Sequence, residues 1–410
     1  MISSVAYIAM HSSPLLQPGS GDAGGMNVYL DRLSRTMVSR GVDVTVFTRY
    51  ADAELPIVTE VVPGYRVVNI KAGEVSRLPI SEMQKHVVDF QEGVISWISE
   101  RERVYDLVHS HYWLSGRTGL RLKTAFRIPL ANSFHTLGKV KDATRLSTED
   151  VSSSERLLTE AEVIASSDCV IASTPFEFDD LLERYGAAPE RLCVSAPGVD
   201  HEVFFRSDKH EARQRLGLTE AQVVLFVGRI QAHKGTAVAV RAFADLVEAR
   251  VPDADPIELH IVGGASGATG IQELENCHRL IEQHQLEGRV RFFGPQPHSK
   301  LVDHFRAANV VVVPSRSESF GLVAAESQAC GTPVVASNIG GLPYVVSASK
   351  SGLLVDGHDP RAFATAIGAI LDHPGFADQL SDGAVTFSQK FSWDATATRL
   401  LELYEGITSG

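Results

Sequence analysis

Cysteine is scarce in this chain and long hydrophobic runs are missing, and both absences narrow the field. Four cysteines occur in 410 residues (Cys169, Cys193, Cys277 and Cys330), and none stands in a Cys-x-x-Cys pair. That spacing suggests neither a zinc site nor a disulfide framework, and a reducing cytoplasm is the expected compartment. No apolar run reaches the roughly 18 residues that a membrane-spanning helix needs. The N-terminus has no basic segment followed by a long apolar one. It reads as a short strand, Val5 to Met10, so no secretory signal is expected. Positive charge is also in deficit: 38 lysines and arginines face 50 aspartates and glutamates, a formal net charge of −12. This argues against a nucleic-acid backbone as the main partner. It leaves room for a phosphorylated small ligand, because a few cations can still cluster. No P-loop, no nucleophile elbow of the G-x-S-x-G type and no H-E-x-x-H zinc motif is found, and no catalytic metal is expected.

What is present is an alternation of strands and helices, running twice. Short β-branched runs at Val5–Met10, Val42–Thr48, Val67–Ile70, Leu107–His109, Leu130–Ser133 and Cys169–Ala172 alternate with helical patterns such as Asn27–Ser39, Glu82–Arg101 and Ser154–Ile164. A second series of strands follows: Val223–Val227, Glu258–Val262, Val290–Phe293, Val310–Val313, Pro333–Ala336 and Gly352–Val355. Strands apolar on both faces and separated by helices predict an α/β fold of two doubly wound, Rossmann-like domains with parallel sheets. The boundary is placed near Pro197, Gly198 and Asp200, with Arg206 to Glu211 as a charged linker. Residues 1–200 then form the first domain and 201–392 the second, with the last helix, Trp393 to Tyr404, returning to the first. In such sheets ligands collect at the carboxyl ends of the strands, which puts the motifs below around one interdomain cleft.

The most informative stretch is Glu318-Ser-Phe-Gly321-Leu-Val-Ala-Ala-Glu326. Gly321 opens a helix, so the backbone N–H groups of about residues 321–323 point out of a positive helix end. Two carboxylates flanking an anion site suit a sugar carried on a phosphate, since one carboxylate can take both hydroxyls of a vicinal diol. On spacing alone the stretch reads equally as a surface helix with an acidic start. A loop Pro18-Gly-Ser-Gly-Asp22-Ala-Gly24-Gly25-Met-Asn27 follows the first strand. It is read as a ligand loop and not as a dinucleotide fingerprint, with Asp22 and Asn27 able to bind hydroxyls. Gly228, Arg229, Lys234 and Gly235 follow the second domain's first strand and are read as a diphosphate clamp. Gly263 and Gly264 make another turn where backbone can approach a nucleotide. His135 ends one strand of the first domain, and His109 and His111 end another, beside Tyr112 and Trp113. Such histidines serve structure as readily as catalysis.

Arg229, Lys234, Glu318 and Glu326 in this order, together with Gly331-Thr-Pro-Val334, make the chain resemble the retaining GT-B glycosyltransferases of family 4 over nearly its whole length. The stretches His11-Ser-Ser-Pro-Leu, Gly21-Asp-Ala-Gly-Gly-Met-Asn-Val-Tyr29, His109-Ser-His-Tyr-Trp-Leu-Ser-Gly116 and Phe391-Ser-Trp are similar to the inositol-phosphate branch of that family. That branch uses UDP-N-acetylglucosamine in mycothiol synthesis, and sucrose-phosphate synthases are more distant relatives.

The resemblance implies roles residue by residue. Arg229 and Lys234 would bind the diphosphate of the UDP-sugar, Glu326 the ribose and Glu318 the transferred sugar. Backbone at Gly321, Leu322 and Val323 would meet the β-phosphate. Gln17, Pro18 and Gly25 would approach the sugar donor, and Gln296 would face the uracil. His135 would stand beside the donor sugar, making it a catalytic candidate with Arg229, Lys234 and Glu318. His11, Asp22, Gly24, Asn27, Tyr112, Thr136 and Arg156 would line the site of the phosphorylated acceptor. A structural magnesium is implied at main-chain atoms of Phe305, Arg306, Ala308 and Thr332, and a homodimer is the default assembly. One position departs from the pattern: Ile80 stands where the inositol-phosphate branch has a lysine for the acceptor phosphate, with Arg77 nearby. A family 4 enzyme with a different acceptor (sucrose-phosphate-synthase-like, glycolipid or polysaccharide), an epimerase or hydrolase on the same frame and a two-domain solute-binding module are the competing readings.

Overall fold

The two strand series build two separate sheets in the computed structural model, which describes residues 1–17, 23–101, 103, 105–146, 150–218, 220–251 and 255–409. The first sheet contains β1 (Ser4–Ile8), β2 (Asp43–Arg49), β3 (Val58–Val62), β4 (Tyr65–Ile70), β5 (Leu107–His111), β6 (Leu130–Ser133), β7 (Cys169–Ala172) and β8 (Leu192–Val194). Their spatial order is β3-β4-β2-β1-β5-β6-β7-β8. The second sheet contains β9 (Gln222–Val227), β10 (Ile257–Val262), β11 (Val290–Gly294), β12 (Val310–Val313), β13 (Val334–Ser337) and β14 (Gly352–Val355), in the order β11-β10-β9-β12-β13-β14. Chain order reverses between β1 and β5 in the first sheet and between β9 and β12 in the second. The crevices at these two switch points are where an open α/β sheet receives ligands.

The strands pair in parallel, as their two-sided apolar character demands, and β1, β5, β9 and β12 are wholly or almost wholly buried. The exception is β3, which runs antiparallel to β4 at the sheet edge and keeps Val58 exposed. Its half-exposed pattern is why no buried strand was expected there.

Several helices also exceed expectation. Trp113–Phe126 holds Gly116 and Gly119, poor helix formers that are needed because a Cβ at either would press on Val163 or on Leu130 and Ser110. Helices Pro175–Tyr185 and Pro374–Ser388 both open on proline at a first-turn position. The expected linker Arg206 to Glu211 is partly helical: Asp208 caps Lys209–Leu216 by accepting the Glu211 N–H.

The chain crosses between the sheets twice, and the crossings lie side by side. Val199 N–H donates to Phe391 O at 3.2 Å, and the His201 ring meets the same carbonyl at 2.9 Å. A side chain at Gly198 would collide with the backbone of Trp393. The final helix, Trp393–Thr408, then packs on the first sheet, where Trp393, Ala397, Leu400 and Tyr404 share a core with Tyr7, Tyr29 and Leu107.

The absence of a disulfide inferred from spacing is corrected here. Cys169 and Cys193, on neighbouring strands β7 and β8, are joined across 24 residues of sequence, while Cys277 and Cys330 are buried thiols. Strand pairing brings together residues that sequence spacing leaves far apart. Among the described residues no helix is long and apolar enough to cross a membrane.

Candidate active site

The carboxyl ends of both sheets face a cavity of about 360 Å³, within the range of small-ligand sites. Its second-domain wall is built from three loops laced together by backbone. Gly228 N–H donates to Val262 O at 3.0 Å, Ile230 N–H to Gly264 O at 2.9 Å and Gly263 N–H to Gly294 O at 3.0 Å. Gly263 has φ +144, and a Cβ there would strike the Gly228 carbonyl, so only glycine lets these loops close up. Arg229 and Lys234 both line the cavity. The Lys234 ammonium donates to Glu318 Oε2 at 2.8 Å. Glu318 is held in turn by the Gly341 N–H on its carbonyl at 2.8 Å.

Gly321, at φ +107, precedes the helix Leu322–Ala329, and no side chain of the described residues caps that end. Gly321, Leu322 and Val323 line the cavity, so the positive helix end opens onto it. Glu326 lies a turn further in, buried, with Oε1 2.8 Å from His298 Nε2. Burial, the largest single influence, pushes the His298 pKa down. The Glu326 carboxylate outweighs it, and the net direction is up. Gln296 lines the cavity while its amide donates to Phe293 O at 2.6 Å.

The first-domain wall comes from the ends of β1, β5 and β6. His11, Gly24, Gly25, Tyr112, His135, Thr136 and Ile80 all line the cavity. Tyr112 (φ +81) and His135 (φ +59) adopt left-handed backbone that non-glycine residues rarely take. The two walls touch: Ser319 Oγ donates to His135 O at 2.6 Å, and a Cβ on Gly25 would lie 3.3 Å from Leu322 Cδ1. His11 Nδ1 is buried with no hydrogen-bond partner among the described residues. Burial, reinforced by His135, Arg229 and Arg156, pushes the His11 pKa down to about 3. Burial likewise pushes His135 down to about 4, so both rings are neutral near pH 7.

Other expected residues sit elsewhere. Asn27 is buried in the loop itself: its amide donates to Ser12 Oγ at 2.7 Å and Ser13 O at 2.5 Å, and its oxygen accepts from Gly24 N–H at 2.8 Å. It therefore shapes the ligand loop. Arg156 lies behind Thr136, donating to Thr136 O at 3.0 Å and to the buried Glu160 at 2.7 Å, with its guanidinium against the Tyr112 ring. Gln17 is exposed at the start of the loop, and Pro18 and Asp22 lie outside the described residues. Glycines 19, 21 and 24 do carry the G-x-G-x-x-G spacing, which the reading of this loop passed over. Phe305 O takes the Thr332 hydroxyl at 2.7 Å and the Ala308 N–H at 3.2 Å. That carbonyl already accepts two protein donors, while the Arg306 guanidinium donates to Val203 O and Phe205 O, and no chemistry is routed through a metal here. His298 and Ser319 escaped the sequence reading as site residues, and His111 was noticed there without a role. For His298 the one available signal was its place shortly after β11.

Two family models match in tandem: Glycosyltransferase Family 4 over residues 23–203 and Glycosyl transferases group 1 over residues 208–387. The D-inositol 3-phosphate glycosyltransferase of Acidothermus cellulolyticus is 44% identical over 402 residues, covering 98% of this chain and 89% of its relative. That of Thermomonospora curvata is 43% identical, covering 99% and 96%. Among solved structures, sucrose-phosphate synthase from Thermosynechococcus elongatus superposes with a TM-score of 0.91 at 32% identity, covering 99% of each chain. Anabaena HepE in complex with UDP and glucose shares the fold, with a TM-score of 0.76 at 20% identity and coverage of 98% and 99%.

Proposed function

The chain belongs to family 4 of the glycosyltransferases, with the GT-B fold, and on that premise we propose that it moves N-acetylglucosamine from UDP-N-acetylglucosamine to 1D-myo-inositol 3-phosphate with retention of configuration, the first step of mycothiol synthesis. The observation that carries this reading is the wall made by Arg229, Lys234, Glu318, the open helix end at Gly321 and Glu326 around one cavity. Two cations and a helix N-terminus meet a diphosphate, and two carboxylates meet two sets of hydroxyls. The acceptor would lie against His11, Tyr112 and Thr136, with Arg156 beneath them.

The reaction needs one bond exchanged at the anomeric carbon. The bond from C1 to the β-phosphate oxygen breaks, the acceptor hydroxyl bonds C1 from the same face, and its proton passes to the departing phosphate oxygen. Among the described residues no first-domain carboxylate lines the cavity, and this supports a front-face course without a covalent intermediate. The protein's part is positioning and charge: Arg229, Lys234 and the helix end stabilise the negative charge that grows on UDP. The hydrogen bond from Ser319 to the His135 carbonyl ties the two walls together and holds them at a fixed separation around the reacting groups.

A second reading has its own observation. Ile80 puts an apolar side chain in the cavity, and Arg156 is already paired with Glu160. Both suit an unphosphorylated polyol or sugar as acceptor. A UDP-release assay with UDP-N-acetylglucosamine against inositol, inositol 3-phosphate and sugar phosphates separates the two. Release driven by inositol 3-phosphate alone supports the first reading, and equal release with inositol supports the second. Release that ignores every acceptor points to a hydrolase or epimerase. The anomeric configuration of the product, read by proton NMR, tests retention.

A further inference from the structure

His111 stands behind His135, and the chemistry above gives it no task. It ends β5, is fully buried, and its Nδ1 lies 3.0 Å from His135 Nε2. Its other nitrogen, Nε2, is buried with no hydrogen-bond partner among the described residues. His109, its ring tilted against it at 4.1 Å, offers none, because both His109 nitrogens are taken by Tyr404 OH at 2.6 Å and Ser133 Oγ at 3.0 Å. Tyr7 and Tyr29 meet the His111 ring through ring contacts at 5.3 and 5.8 Å.

With both rings neutral, one proton lies in the bond between them, and two arrangements are available. If His135 donates from Nε2, His111 carries its own proton on Nε2, and a buried N–H faces nothing that accepts it. If His111 donates from Nδ1, its Nε2 is a bare lone pair and no N–H is stranded. Orphaned buried N–H groups are the rarer and costlier of the two. His111 is then the donor, and His135 must carry its proton on Nδ1, the nitrogen left for a ligand. The His135 ring has little freedom to escape this, because its backbone is held left-handed and its carbonyl is tied to Ser319 across the cleft.

We propose that His111 is a positioning residue: through its hydrogen bond it fixes the tautomer of His135, so that His135 offers an N–H to the sugar in the cleft rather than acting as a base. Only the identity of the bound group rests on the functional reading above; the tautomer stands independently of it.

Nitrogen-15 NMR of the full, unliganded chain labelled at histidine distinguishes protonated from bare ring nitrogens. The expected spectrum at neutral pH shows His135 protonated at Nδ1. In His111→Leu that single tautomer gives way to a mixture. In His111→Asn, whose amide N–H stands where Nδ1–H stood, it returns. Transfer kcat/KM falls about tenfold or more in His111→Leu and recovers in His111→Asn. A proton on His135 Nε2 in the unaltered chain overturns the proposal, as does an unchanged tautomer in His111→Leu. Since the spectrum needs no substrate, failure of transfer with every sugar donor would remove the functional reading and leave the tautomer to be judged separately.

Discussion

Lys234 Nζ lies 2.8 Å from Glu318 Oε2, so the cation and the carboxylate of the second-domain wall are joined before any ligand arrives. A diphosphate entering the cavity must share Lys234 with Glu318, and a sugar hydroxyl must share Glu318 with Lys234. The two residues therefore act on different halves of one ligand while each holds the other in place.

The pair gives an asymmetric prediction. Glu318→Gln releases the full charge of Lys234 to the diphosphate, so UDP affinity holds or tightens, while transfer falls about tenfold to a hundredfold through loss of a charged acceptor. Lys234→Ala loses both, because Glu318 is left to repel the diphosphate. Calorimetric titration with UDP, set beside UDP release, checks this. Equal loss of UDP affinity in the two variants would show that they do not divide the work.

Ile80 separates the two acceptors. A lysine in its place would add a cation to the first-domain wall, where Arg156 is already committed to Glu160. Ile80→Lys should raise the preference for a phosphorylated over an unphosphorylated acceptor by about tenfold or more, as expected for one charge-assisted hydrogen bond. The quantity to measure is the ratio of kcat/KM for inositol 3-phosphate to that for inositol. An unmoved ratio would mean that Ile80 does not face the anionic group.

Much of this was legible in the sequence, and the rest was hidden for physical reasons. The central strands announced themselves because burial on both faces leaves only β-branched and apolar residues. Arg229, Lys234 and the glycines beside them stood out because loops at strand ends rarely combine cations with missing side chains. Helix Trp113–Phe126 was hidden because its glycines make sense only once Val163 and Leu130 lie against them. Cys169 and Cys193 pair through strand order, which spacing does not encode. His298 and Ser319 act across chain separations of 28 residues to Glu326 and 184 to His135, so neither belongs to any local pattern. Asn27 shows the opposite error, since a residue read as facing a ligand spends its amide on its own loop.

The buried histidines predict acid lability. Burial pushes His11 and His109 down to about 3 and His135 to about 4. In the unfolded chain each titrates near 6.5. Between those values the unfolded chain binds protons that the native chain lacks, so stability falls as pH drops from about 6.5 towards 4. Each group contributes up to about 1.4 kcal/mol per pH unit. Urea denaturation at about pH 7, 6 and 5 should show a steepening loss, and His109→Asn should reduce the slope by about one proton. A slope below one proton in the unaltered chain would contradict burial of these rings in the neutral form.

Tyr404 tests why the chain returns to its first domain. Its hydroxyl lies 2.6 Å from His109 Nδ1 in the first sheet, 295 residues away in sequence. Tyr404→Phe keeps the ring and leaves a buried nitrogen unpaired, which should cost about 1–3 kcal/mol. Removing residues 393–410 goes much further. Trp393, Ala397, Leu400 and Tyr404 are all buried in the core they share with β1 and β5. The three large side chains are worth about 1.5–3 kcal/mol each, which approaches the whole stability of an ordinary domain. The truncated chain should therefore fail to fold its first domain, while Tyr404→Phe folds with a lowered denaturation midpoint and near-normal transfer. Urea denaturation and UDP release measured side by side distinguish these outcomes. A truncated chain that keeps its cooperative transition would show that the first sheet is complete without the final helix. A Tyr404→Phe variant with normal stability but impaired transfer would instead tie the helix to the cleft through the adjoining His109 and His111 rings.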